Sequence, residues 1–141
     1  MRPHVLMLAA VLAGPAALAA DAPASSVNEL STARTTASGQ PITAPPGPMQ
    51  VTASIAVIPP GGATPVHRHP FLRYDYVLEG RLQVTNLDTG KVDVVKAGDF
   101  VVDPVGQWHQ GRALDGKGVR LLVIDQAPPG QSNTVLKDAP P

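Results

Sequence analysis

Three histidines carry most of the chemistry this chain can offer. His67 and His69 stand two apart, and His109 follows forty residues later. On an extended strand, residues i and i+2 project from the same face, so two imidazoles with Cα atoms about 6–7 Å apart can converge on one cation. Arg68 between them then faces the other way. A third imidazole from a distant strand completes a three-nitrogen set with open coordination positions, and His109 is the candidate to supply it. His4 belongs to an apolar leader and is not counted. Cysteine is absent, so any metal here must be held by nitrogen and oxygen donors. The reading is one assembled site for a divalent metal ion rather than three unrelated surface residues; Fe, Zn, Mn, Ni and Cu are not distinguished by it.

The elements that must position these residues are short strands. After Pro48 the sequence breaks into β-rich runs separated by turn residues: Met49 to Ile58, Thr64 to His69, Tyr74 to Leu78, Arg81 to Leu87, Lys91 to Lys96, Phe100 to Val102, Gln107 to Gly111 and Val119 to Asp125. Six or more short strands without helical periodicity between them predict an all-β sandwich or barrel. Residues 1–19 read as an export signal, with a basic start, an apolar run from Val5 to Leu18 and a small-x-small end at Ala17-Leu18-Ala19. The run is short for a bilayer span, so no stable membrane anchor is expected after cleavage, and the mature protein is expected to be periplasmic or secreted. Residues 20–48 form a Pro/Ser/Thr-rich arm expected to be extended, 49–127 the domain itself, and 128–141 a tail that either lies across the sheet or stays loose. Removing Arg2 from 11 basic residues leaves 10 against 11 acidic. Such a balance recommends no nucleic acid partner.

At this point a family resemblance is specific. Gly61 through Gly80 reads G-x5-H-x-H-x3-R-x6-G and resembles the first cupin motif, with Arg73 where that motif carries glutamate. Gly98 through His109 reads G-x5-P-x-G-x2-H and resembles the second, with Ala113 where an Asn usually follows. Seventeen residues separate the two patterns, and motifs plus connector cover about 53 of 141 residues. The resemblance implies a single cupin jelly-roll barrel, a metal bound by His67, His69 and His109, a small-molecule substrate or ligand, and a homodimer to which Met49 to Ile58 contributes. Gly61, Gly80, Gly98 and Gly106 read equally well as turn positions needing positive φ.

Arg73 is the departure that matters. A guanidinium cannot ligate a metal and cannot lose its charge. Either three histidines suffice, or a neighbouring acid takes over, or the metal has been lost. Asp75, two residues on and on the same face, is the candidate fourth ligand. Arg73 either pairs with Asp75 or Glu79 or holds an anionic small molecule bidentately at the rim. Gln107, two before His109, is a second candidate for substrate binding. Tyr74 and Tyr76 are expected to face away from the site, and Trp108 to point away from His109 into packing.

Two functions from different classes follow. One is metal-dependent chemistry on a small, anionic organic molecule, of the dioxygenase, isomerase or decarboxylase type. The other is an exported cupin that binds a metal or small ligand without turnover. A third reading, an interaction module with vestigial histidines, predicts a metal-free protein. The chain carries no Ser/His/Asp arrangement and no recognised cofactor loop.

Overall fold

A computed structural model describes residues 24–138. The expected export signal, the first residues of the arm and the last three residues of the tail lie outside them. Among the described residues there are nine strands and no helix: β1 (Gln50–Ile58), β2 (His67–Arg68), β3 (Arg73–Glu79), β4 (Arg81–Asn86), β5 (Val92–Lys96), β6 (Phe100–Val102), β7 (His109–Ala113), β8 (Val119–Ala127) and β9 (Val135–Leu136). They pair into two antiparallel sheets, in the orders β1-β8-β3-β6 and β5-β4-β7-β2-β9. The protein is all-β, a two-sheet jelly roll.

Alternation along the strands fills the space between the sheets. Ile58, Val77, Leu82, Ala113, Val119, Leu121 and Val123 form one buried apolar cluster. Full burial of such side chains is worth about 1.5–3 kcal/mol each. Ile58, Leu82, Leu121 and Val123 of this cluster line a cavity together with His67 and His109. Gly80 makes the reversal between β3 and β4 at φ +83.

Local chemistry moved several strand limits. The run expected from Thr64 to His69 contracts to β2, because Pro65 has no N–H to give a ladder and Thr64 donates instead to Gly111. The run expected from Gln107 to Gly111 shifts to His109–Ala113. Gly106 turns the chain at φ +74, and the Trp108 N–H is taken by the Asp88 carboxylate at 2.8 Å. The arm is not simply extended: it reverses at Gly39, Thr35 bridges Pro41, and Ala37 donates to Val102 at 2.8 Å. The tail supplies β9, which pairs with β2 in the sheet.

Gly80 permits a direct test. A Cβ there would collide with the Gly118 carbonyl oxygen, on a backbone in the left-handed region. Gly80→Ala is expected to destabilise the fold by roughly 2–4 kcal/mol in urea unfolding, whereas Gly90→Ala, whose Cβ meets open space, should cost only the conformational strain of about 1–2 kcal/mol.

Candidate metal centre

His67 and His109 face each other as paired residues of β2 and β7. His69 lies just beyond β2, where it bridges Val105 in parallel fashion. Their ring centroids are 4.5–4.9 Å apart, and one ligand nitrogen from each lies within 4.8 Å of the others. The three histidines of the sequence reading are thus brought together.

Each ring is held by its other nitrogen. Nδ1 of His67 meets the Pro65 carbonyl at 2.8 Å, Nδ1 of His109 the Gln107 carbonyl at 3.0 Å, and Nδ1 of His69 the Asn133 carbonyl at 2.7 Å. A carbonyl only accepts, so each Nδ1 carries a proton and leaves Nε2 as the nitrogen that can ligate. A neutral ring in this tautomer is what a metal requires, with the outer bond fixing ring orientation. Burial pushes the His67 imidazole down to about 4, and the backbone bond to Pro65 only partly offsets that. Burial also lowers His109, against the opposing pull of Asp103. Nε2 of His69 is buried and has no hydrogen-bond partner. An orphaned basic nitrogen beside two others of the same kind fits a divalent cation.

Asp103 is the acidic residue the sequence reading missed. It directly follows β6, and its Oδ2 lies 3.3 Å from His69 Nε2 and 3.8 Å from His109 Nε2. Burial alone would raise its carboxyl, but His69, His109 and Arg73 outweigh burial and hold it below the usual range. Asp75, the acid expected near the metal, lines the same cavity. Its Oδ1 is buried without a partner, and it makes no ion-pair contact with the three histidines. Burial first, and the Asp103 charge second, push its carboxyl well above its ordinary value despite Arg73. Of the two neighbouring acids, the surroundings of Asp103 favour its charged form and those of Asp75 its protonated form.

Arg73 pairs with neither Asp75 nor Glu79. Its Nε and Nη2 donate to the two oxygens of Asp125 on β8, each at 2.8 Å, and Nη2 also donates to Thr134. Glu79 is taken by Arg120. Asn133 extends this group: its Nδ2 donates to Asp125 and to the Leu72 carbonyl, and its Oδ1 accepts from the Phe71 N–H. A chain of contacts therefore runs from Arg73 through Asp125 and Asn133 to His69. The Gln107 side chain accepts from Asn86 at 2.7 Å, while its carbonyl orients His109. Tyr74 stacks on Phe100 and donates to Gln126, away from the site as expected. Trp108 does point away from His109, but it lies half-buried on the outside under the Arg68 guanidinium, 4.7 Å from the ring centre, rather than in the core.

His67 and His109 open onto a cavity of about 140 Å³ between the sheets, with His69 behind them. His67, His109, Arg73, Asp75 and Asp103 line one part, and Leu82, Leu121 and Val123 the other.

With this geometry in view, comparison with known proteins is decisive on family. Residues 54–125 match the cupin domain family. The chain belongs to it. No curated protein matches the sequence. Among solved structures, the polyketide cyclase RemF from Streptomyces resistomycificus is similar at 28% identity and TM-score 0.51, over 62% of this chain and 63% of that one. An oxalate oxidase in complex with the substrate analogue glycolate shares 26% identity at TM-score 0.53, over 62% and 46%. The formate complex of Lactobacillus farciminis oxalate decarboxylase, at 24% identity and TM-score 0.53 over 62% and 26%, shares the fold. This cupin spans less than two thirds of the length of each.

The depressed His67 makes a pH signature in the metal-free protein. Its folded value, about 4, lies below the unfolded 6.5, so between these limits the unfolded chain binds more protons and the His67 share of stability is lost as pH falls. Asp75 works in the opposite sense. The His67 share is therefore read by difference: in chelator, the melting temperature of His67→Gln should rise relative to native protein as pH drops from 7 to 4. A constant difference across that range would contradict it.

Proposed function

We propose that this cupin is an exported protein that holds one divalent metal ion on His67, His69 and His109 and offers its open positions to a small organic anion. The observation that carries the reading is the set of three convergent imidazoles, each held through Nδ1 by a backbone carbonyl, two of them lining a cavity between the sheets. A bound divalent ion would supply Lewis acidity or, for iron, manganese or copper, redox capacity toward a ligand in that cavity.

Size and charge narrow the ligand. About 140 Å³ is below the roughly 300–1,000 Å³ of drug-sized ligand sites, so a molecule of few heavy atoms is indicated. Arg73 and Asp125 cancel, and a divalent ion beside Asp103 outweighs that carboxylate and suits a small anion such as a carboxylate. The likeness to an oxalate oxidase holding glycolate supports that class. Oxygenation, decarboxylation and isomerisation of such an acid all suit this arrangement, and Asp75, whose burial favours the protonated form, is placed at the cavity to donate a proton. Arg73 lines the cavity and stays there as a fixed positive charge; its carboxylate-binding fork is occupied by Asp125. Gln107 contributes through His109 rather than by contact with the ligand.

Binding without turnover is the second reading. It is favoured by the internal saturation of Arg73 and Gln107, which leaves Asp75 as the cavity carboxyl whose surroundings favour protonation. Oxygen consumption or product release from small carboxylates by metal-loaded protein decides between the two.

Metal analysis of the full chain recovered from the export compartment is expected to give one transition-metal ion per chain. A chelator should lower its melting temperature, and His109→Ala should weaken Zn²⁺ binding more than about 100-fold, beyond the roughly 10–100-fold typical of residues that only orient ligands. Metal-free native protein with intact folding would overturn the reading.

We further infer a homodimer through β1. This nine-residue edge strand places Val51, Ile55 and Val57 outward at 61%, 49% and 65% exposure, a surface that a second copy would cover. Intact mass should show a mature chain beginning at Ala20 or Asp21, and sedimentation should give twice that mass, reverting to one chain in Ile55→Arg.

A further inference from the structure

Resting on the metal reading above, we propose that Asp103 is the fourth ligand, an anionic donor supplied by the sheet opposite the one that carries His67 and His109. One carboxylate oxygen here faces two ring nitrogens. Nδ1 of His69 donates to the Asn133 carbonyl, which leaves Nε2 as its free nitrogen. It is buried, unpartnered and 3.3 Å from Oδ2 of Asp103. At that distance a proton or a cation between the two atoms makes the contact favourable, and burial removes the water that would otherwise screen it. The same oxygen lies 3.8 Å from Nε2 of His109, whose Nδ1 is likewise held by a carbonyl.

A shared cation resolves both contacts. Ligand atoms about 2.0–2.2 Å from one ion are separated by about 3.4 Å along a tetrahedral edge and about 3.0 Å along an octahedral one. The observed 3.3 Å has that span, and 3.8 Å needs a closure of a few tenths of an ångström. Asp103 is also firmly placed. Its N–H donates to the Arg73 carbonyl at 3.0 Å, and Pro104 follows it. The carboxylate thus enters from the level of Arg73 but from the adjacent position on the chain leaving β6. Asp75 makes no contact of this kind with any of the three rings.

The test uses the full-length protein with Zn²⁺ and Co²⁺ as probes. Zn²⁺ affinity is measured by competition with a chromophoric chelator, and the Co²⁺ form by its ligand-field absorption. Asp103→Ala and the isosteric Asp103→Asn should each weaken Zn²⁺ by about 10-fold or more and shift the Co²⁺ bands, whereas Asp75→Asn should stay within about threefold. Metal-free melting of Asp103→Asn, close to that of native protein, shows that the fold survives. In the native protein itself, the infrared difference between Zn²⁺-loaded and metal-free forms should contain a carboxylate-stretch shift that is absent from Asp103→Asn. Zn²⁺ affinity within about threefold of native in both Asp103 variants, with unchanged Co²⁺ bands, would overturn the assignment while leaving the three-histidine site standing. Native protein that takes up neither ion would overturn both.

Discussion

The pairing of His67 with His109 across β2 and β7 is the constraint on which the site depends. Opposed residues of an antiparallel pair place their side chains on one face at about 4.5–5.5 Å. A slip of one residue would send one imidazole to the outer surface, where Arg68 and Trp108 now stack. Register must therefore be secured on both sides of β2. Thr64 does so before it, donating to and accepting from Gly111 on β7. After it, β9 pairs His67 with Leu136 and Arg68 with Val135. A two-residue strand is too short to fix its own alignment, and its neighbours do so instead.

Burial of charge is arranged in two groups with different purposes. Arg73, Asp125 and Asn133 form a satisfied network whose donors and acceptors meet inside the protein, so the guanidinium is held without need of a ligand. In the second group, beside Asp103, Nε2 of His69 and Oδ1 of Asp75 are buried without partners. Buried polar atoms without partners cost about 1–3 kcal/mol each. An unsatisfied cluster lying next to a fully satisfied one marks where the fold has kept capacity for something else to bind.

Much of this was legible in the sequence because its signals are local. Strand alternation placed His67 and His69 on one side, and the spacing of Gly98, Pro104, Gly106 and His109 tied the third histidine to the first two. What stayed hidden depends on contacts between distant residues. Asp125, which takes Arg73, lies 52 residues away, and its pairing follows from the β3–β8 register, where Arg73 and Asp125 are opposed. Alternation along β3 points to Asp75, whereas Asp103, the acid nearest the ring nitrogens, sits across the ladder at the end of β6. That Tyr74 pairs with Val102 puts Asp103 beside Arg73, and single-sequence periodicity carries no such cross-strand information. Asn133 lies in a Pro/Gly-rich stretch whose composition leaves open whether the tail crosses the sheet or stays loose.

The arm shows how sequence composition can conceal a positioning role. Gln40 places its Oε1 on the Val105 N–H and its Nε2 on the Val105 carbonyl, each at 2.9 Å. A side-chain amide thereby mimics a strand neighbour for the backbone segment between Asp103 and His109. The same residue, Val105, bridges His69, and Gly106 donates to the His69 carbonyl at 2.7 Å. One glutamine thus braces the loop that connects Asp103 to His109 and abuts His69. The bracing acts through backbone rather than through ring nitrogens, so the arm governs how rigidly Asp103 and the histidines are held relative to one another, not which atoms they present.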